Sequence, residues 1–382
     1  MMNEKDIKLI KSIKTPAYIV DKRLLTKNLE TLKYVQDQTG CKILLALKGF
    51  SMHAVFPLVG EYLAGITSSS LFEAQLGAEY MNKEVHIYAP AYRDDEFDHV
   101  LQTCDHIVFN SISQYNRFKA RIKNAKKPIQ CGLRVNPEYS EVETAIYDPC
   151  APHSRLGTLE KKITHQDLEG IEGLHFHTMC EQQVDTLERT LNVVEEKFGK
   201  YLYHMKWLNL GGGHHITRND YDVERLITLI NRIRNQYNIM VYLEPGEAVA
   251  LNCGYLVTSV LDIVHNGMDI AIIDSSAACH MPDVIEMPYR PHIIHSAKPE
   301  QKPYTYRIGG MTCLAGDIIA DYAFDHPLKN GDKLIFTDMA HYTMVKNNMF
   351  NGINLPLIAL MDDQGIQIIR EFTYEDYKSR LS

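Results

Sequence analysis

The chain has 382 residues, 45% of them hydrophobic and 23% charged, with a formal net charge of −8. That is material for about two self-supporting domains of ordinary globular composition. The acidic balance argues against a nucleic-acid surface, and no run approaches the roughly 18 apolar residues of a membrane span.

The N-terminal stretch MMNEKDIKLIKSIKTPAY interleaves lysines with acidic residues, so a cytoplasmic protein is expected. PAYIV predicts a short strand. The segment DKRLLTKNLETLKYVQDQTG predicts a helix, because Leu25, Leu29, Leu32 and Val35 recur at helical spacing and Gly40 ends the pattern. Short apolar strands follow at residues 42–47, 65–68, 84–89, 106–110, 129–135, 173–178, 206–210 and 240–244, mostly separated by amphipathic stretches such as Leu187, Leu191, Val194, Phe198 and Tyr201. Alternating β and α units over about 220 residues predict a (β/α)8 TIM barrel, whose functional residues lie on the loops after the strands' C-terminal ends. Beyond residue 254 the pattern becomes strands joined by turns. Hairpin signals stand at Asn266-Gly267 and Asn330-Gly331, and LIALMDDQGIQIIREF holds a third tight turn. The expected organisation is a barrel over residues 21–254 and a β-rich, sandwich- or barrel-like domain over 255–382 that also takes residues 1–20 with the N-terminal strand. Eight dispersed cysteines without a CxxC pair signal neither a zinc knuckle nor a disulfide framework, so most are expected to be buried free thiols.

On that barrel the polar residues at strand ends share one mouth. Lys48 ends the first strand in CKILLALKGF, Arg134 closes the fifth and His177 the sixth; Gly211, Gly212 and Gly213 follow the seventh, and Glu244, Gly246 and Glu247 close the eighth. The glycine run is a candidate phosphate cradle, because residues without Cβ let backbone N–H groups approach an anion, and the loops after strands seven and eight frequently hold one. Singly, each residue has a plainer reading: Lys48 as a surface cation, His177 as a hydrogen-bonded core histidine, Glu244 as a capped loop carboxylate. Together they point to pyridoxal phosphate, which needs a lysine to carry it and a carboxylate to keep its ring nitrogen protonated. Two rivals use the same residues: a metal-dependent hydrolase ligated by His175, His177, His214 and His215, and a non-catalytic pyridoxal-phosphate carrier.

Over nearly the whole chain these motifs resemble the alanine-racemase-fold pyridoxal-phosphate decarboxylases, which act on ornithine, arginine, diaminopimelate and related amino acids. The resemblance implies Lys48 in ALKGF as the cofactor-bearing lysine, His177 in HFHT stacked on the cofactor ring, and Gly211 to Gly213 in LNLGGG at the phosphate. EPGE supplies Glu244 for the pyridine nitrogen, with Gly246 beside the cofactor, and LRVNP supplies Arg134 beneath it. In the β-rich domain, AHYT implies that Tyr342 reaches the phosphate. GGMTCLAGD implies that Cys313, as proton donor, and Asp317 enter the active site of the partner in a homodimer with shared sites. Departures from the common pattern are Glu247 where relatives have the arginine of EPGR, Leu314 where an acidic residue often follows the cysteine, and Cys180 in HTMCE where a phosphate-side serine is usual. With SSSLFEA and CHMPDVIEMPYRP, these departures resemble the branch whose substrate is an amino acid extended by a polyamine tail. That implies Glu247, Asp283 and Glu286 as partners of cationic amines, with Arg290 holding a carboxylate or a structural partner. Decarboxylation is the implied reaction, with no metal, nucleic acid or membrane partner. A decarboxylase of diaminopimelate, ornithine or arginine is the alternative within the family.

Overall fold

The computed structural model describes residues 3–382, which divide into two compact units, Asn28–Val249 and the remainder up to Lys27 together with Ala250–Ser382. The predicted N-terminal strand is β1 (Ala17–Asp21), and the helix after it, Lys22–Thr39, buries Leu25, Leu29, Leu32 and Val35 completely. Each apolar run expected as a barrel strand forms one. These are β2 (Lys42–Ala46), β3 (Gly65–Ser68), β4 (Glu84–Tyr88), β5 (His106–Phe109) and β6 (Gln130–Asn136), then, after a two-residue strand β7 (Thr158–Leu159), β8 (Gly173–His175), β9 (Trp207–Asn209) and β10 (Met240–Leu243). All pair in parallel in the order β5-β4-β3-β2-β10-β9-β8-β6, and β5 pairs with β6 to close the barrel; β7 hangs on β6 inside the long irregular insertion.

Side chains alternate across each strand, so one set fills the barrel and the other meets the helices. Leu44, Val108, Trp207 and Tyr242 form an interior cluster. Space for the chain's one tryptophan is made by glycine: a Cβ on Gly132 of β6 would lie 2.3 Å from the Trp207 ring, and one on Gly173 of β8 would lie 2.0 Å from it. Two absent side chains therefore accommodate one large one.

The second unit is a mixed sheet of β11 (Gly254–His265), β12 (Asp269–Ile273), β13 (Tyr304–Gly309), β14 (Ile318–Phe324), β15 (Lys333–Thr337), β16 (Leu357–Asp362) and β17 (Gly365–Arg370), joined by β1. The order is β14-β13-β12-β11-β1-β16-β17, with β15 also on β11. The N-terminal strand thus lies between β11 and β16, as its position before the first barrel helix predicts. Asn266-Gly267 joins an antiparallel β11–β12 hairpin, and Asp363-Gln364 turns β16 into β17. The hairpin expected at Asn330-Gly331 does not form. The turn is there, with Gly331 at φ +90°, but β15 pairs with β11 rather than with β14. The reason is that this dipeptide specifies a reversal and not a partner. Val260 of β11 takes both ends of the turn, accepting from Gly331 N at 2.8 Å and donating to Asp332 O at 2.8 Å. A helix at Glu4–Ile10, capped by the Asn3 side chain on Asp6 N, went unrecognised in the sequence.

All eight cysteines are free, and five are buried. Among the described residues no helix is long and apolar enough to cross a membrane.

Gly173→Ala should force the Trp207 ring out of place and cost about 1–3 kcal/mol, the usual range for an overpacked core. Urea unfolding followed by the fluorescence of this one tryptophan measures it, and an unchanged midpoint would show that the ring has room to move.

Candidate active site

The C-terminal ends of β2, β3, β4, β6, β8 and β10 surround a small cavity lined by Lys48, Tyr88, Arg134, His175, His177 and Glu244, with residues 67–69 on one wall. Every lining residue belongs to the barrel unit.

Glu244 is the anchor. Asn209 Nδ2 donates to its Oε1 at 2.7 Å, and His175 Nε2 lies 3.1 Å from its Oε2. Burial by itself would raise the carboxyl, but His175 first, then His86 and Asn209, hold it down at about 2. His175 is pushed below its ordinary value by burial, against the pull of Glu244. Burial dominates for this fully enclosed ring, so near neutral pH the pair is a neutral imidazole N–H donating to a carboxylate, not an ion pair.

Lys48 follows β2, and its Nζ lies 3.4 Å from His177 Nε2. The Lys48 side chain is exposed through the cavity mouth, where solvent reaches it, and the cavity walls lie around its amine. Enclosure, then the Arg134 cation, lower its pKa, while Glu244 and Glu73 oppose them. Water at the mouth screens all of these effects, so the direction is what matters. His177 is driven well below the ordinary histidine value by burial and then by Lys48 and Arg134. Arg134 is buried, donates from Nη2 to His177 O at 3.0 Å, and lays its guanidinium 4.5 Å from the Tyr88 ring centre.

The glycine turn is required by contacts beyond those its sequence suggests. A Cβ would lie 2.4 Å from Phe176 O at Gly211, 2.2 Å from Glu244 O at Gly212 and 1.9 Å from Met179 O at Gly213. These are backbone atoms just past β8 and β10, and they cannot yield. Two of the three amides are also used within the chain: Gly211 N donates to Asn209 Oδ1 at 2.8 Å and Gly212 N to His177 Nδ1 at 3.0 Å. The expected three-amide anion cradle is therefore narrower than the glycine count implies. Cys180, half-buried, directly follows Met179. Gly246 meets the loop after Lys48, where a Cβ on Gly49 would lie 3.0 Å from its Cα. Glu247 is largely buried, 3.1 Å from His215 Nε2 but off hydrogen-bonding alignment with it.

The four histidines of the metal-hydrolase rival have separate partners. His175 faces Glu244, His177 faces Gly212 and Lys48, His214 Nδ1 is 2.6 Å from Tyr221 Oη, and His215 Nδ1 is 3.2 Å from Arg218. Deeper in the barrel, Glu84, His86 and His106 lie close enough to invite a metal. Lys42 Nζ at 3.0 Å and Tyr242 Oη at 3.2 Å already engage Glu84, and the two imidazoles stack with centroids 3.8 Å apart and planes inclined by 10°. Parallel rings direct their in-plane lone pairs side by side rather than to one point.

Six candidate residues belong to the sheet unit. Cys313 is exposed, with its N–H donated to Asn351 Oδ1 at 2.7 Å. Tyr342 adopts φ +54° and ψ −42°, a backbone state uncommon for a bulky residue and typical of constrained functional positions. Asp283 and Glu286 both accept from Lys346 Nζ. Asp317 is buried and accepts from Ser276 Oγ, Ala278 N, Thr312 N and Thr312 Oγ1 at 2.6–3.3 Å. Its carboxylate is occupied in shaping the CLAGD loop, which speaks against the expected substrate contact. Arg290 donates to Ala297 O at 3.1 Å and packs 4.9 Å from the Tyr322 ring, a structural placement.

Sequence reasoning passed over His175 as a support for Glu244, along with Asn209 and Lys346. His175 and Asn209 were within reach: each stands two residues before a chosen position, His177 or Gly211. Nothing local marks Lys346.

The family model described as pyridoxal-dependent decarboxylase, C-terminal sheet domain, matches residues 17–340. A carboxynorspermidine/carboxyspermidine decarboxylase of Campylobacter jejuni is 47% identical, with 96% of this chain and 98% of that protein covered. A carboxyaminopropylagmatine decarboxylase of Synechocystis is 42% identical, with 97% and 96% covered. The crystal structure of the Campylobacter jejuni carboxynorspermidine decarboxylase complexed with norspermidine superposes with a TM-score of 0.90 at 46% identity, covering 96% of this chain and all of that one. The chain belongs to the pyridoxal-dependent decarboxylases and is a pyridoxal-phosphate enzyme that removes a carboxylate. Its cavity fits that cofactor: one amine of lowered pKa, one carboxylate ionised and held at both oxygens, and a flat imidazole share a single space.

Since folding lowers the Glu244 pKa from 4.5 to about 2, its ionisation stabilises the folded state above the unfolded value, and that stabilisation is lost as pH falls towards 2. Glu244→Gln should flatten the decline in stability between about pH 5 and about pH 3, read by urea denaturation at each pH; a slope equal to wild type would mean that the carboxyl titrates normally.

Proposed function

We propose that this enzyme decarboxylates carboxynorspermidine and carboxyspermidine, releasing norspermidine or spermidine and carbon dioxide, as a cytoplasmic homodimer with shared active sites. The observation that carries this reading is near-full-length likeness to carboxynorspermidine/carboxyspermidine decarboxylase in a chain that has Glu247 where the wider family's common EPGR pattern implies an arginine. An anion at that position suits an amine-rich substrate and opposes a second carboxylate, which counts against diaminopimelate.

When bound, pyridoxal phosphate supplies a sink for the electron pair left at Cα as the carboxylate departs. Lys48 would hold it covalently, the turn from Gly211 to Gly213 with Cys180 and Gly246 would meet its phosphate, a role the family pattern also gives Tyr342, and Arg134 would support it. Glu244, ionised and fixed by Asn209 and His175, holds a proton on the ring nitrogen. His177 would present its flat face to the ring. The partner subunit's Cys313 returns a proton to Cα, consistent with an exposed thiol on a loop anchored by Asn351. Glu247, Asp283 and Glu286 bind the cationic tail, and at the last two an incoming ammonium exchanges with Lys346.

Purified protein should be yellow, and borohydride should bleach it while fixing the cofactor to Lys48; Lys48→Ala should keep its fold by circular dichroism yet lose both colour and carbon dioxide release. A colourless wild-type preparation that cannot be reconstituted would overturn the cofactor assignment. For the substrate, carbon dioxide release from carboxynorspermidine, carboxyspermidine, carboxyaminopropylagmatine and diaminopimelate decides. Activity confined to either of the last two would refute carboxynorspermidine and carboxyspermidine as the substrates.

A further inference from the structure

One imidazole joins the glycine turn to the pocket lysine, and both of its nitrogens face donor-bearing groups. Gly212 N–H donates to His177 Nδ1 at 3.0 Å. A backbone amide is always a donor, so Nδ1 must offer its lone pair; an Nδ1–H tautomer or an imidazolium would set two N–H groups against each other. The single ring proton therefore resides on Nε2, which faces Lys48 Nζ at 3.4 Å. An ammonium has three donors and no acceptor. That contact is attractive only when Lys48 is a free amine with its lone pair turned to Nε2–H.

We infer that the Gly212 amide, acting through His177, presents Lys48 as a neutral amine in the cofactor-free chain. This rests on the reading of Lys48 as the cofactor lysine, and it assigns to His177 a positioning role beyond ring stacking. A neutral amine condenses with an aldehyde without first shedding a proton: the C–N bond forms, and the aldehyde oxygen leaves as one water with the two amine hydrogens. The groups around Lys48 act in both directions, Arg134 lowering its proton affinity and Glu244, Glu73 and Cys180 raising it. Around His177, Lys48, Arg134, His175 and His214 all disfavour an imidazolium. The Gly212 contact adds direction, because charge alone does not choose between Nδ1 and Nε2.

The test uses the full chain freed of cofactor, so it stands apart from whether the cofactor assignment holds. Nitrogen-15 NMR of histidine-labelled protein, assigned by the signal lost in His177→Phe, should show His177 with a proton on Nε2 and a bare Nδ1 at neutral pH. A proton on Nδ1, or on both nitrogens, overturns the inference. The pH midpoint of Lys48 acylation by limiting acetic anhydride, read by peptide mass spectrometry, supplies the second readout. His177→Gln keeps an N–H donor at the Nε2 position and should hold the midpoint within about 0.3 pH unit of wild type. His177→Asn and His177→Phe lack it and should raise the midpoint by about 0.5–1 pH unit, the effect of one hydrogen bond lost from the neutral amine. Equal midpoints in all three variants would mean that His177 does not govern the amine.

Discussion

Closure of the barrel through the β5–β6 pairing is the constraint on which the site depends. Parallel strands bring all their C-terminal ends to one side, so Lys48, Arg134, His177 and Glu244, spread over nearly 200 residues of sequence, line one cavity. Their separation along the chain costs nothing further once the ring is closed. The interior that permits closure is unusual in one layer, where Trp207 fills space left by two glycines and the polar set Glu84, His86 and His106 stands in place of branched apolar residues.

A buried carboxylate must be compensated or it takes up a proton. Glu244 is compensated at each oxygen, by Asn209 and by His175. Asn209 also accepts from Gly211, and the next amide of the same turn, Gly212, donates to His177. The carboxylate, the glycine turn and the imidazole beside Lys48 therefore form one hydrogen-bonded assembly across the ends of β8, β9 and β10. The tight approach of the glycines to the neighbouring strand ends holds these donors in register.

Much of this was legible beforehand. All the barrel strands lie where apolar runs stop at polar residues, because a parallel strand buried on both faces can expose charge only at its ends. Lys48 and Glu244 were found by that logic. The glycine turn was found for an incomplete reason: it reads as room for a phosphate, whereas the missing Cβ atoms also make room for the backbone of Phe176, Glu244 and Met179. The hairpin misread at Asn330-Gly331 has a similar origin, since turn chemistry is local and strand partnership is not. Asp317 and Arg290 look like ligand contacts in a motif, yet their partners, Ser276, Thr312 and Tyr322, are distributed over the sheet unit and carry no local mark.

By itself the sequence determined the barrel, the added sheet with its borrowed N-terminal strand, and the identities of the lysine, carboxylate and histidine, because hydrophobic period and strand-end polarity are properties of neighbouring residues. Tertiary structure alone decided which atoms those groups face: that Glu244 is ionised against a neutral His175, that Lys346 takes up Asp283 and Glu286, and that Gly212 sets the proton on His177. Protonation and pairing depend on atoms within a few ångströms from distant parts of the chain, and only the closed fold brings those together.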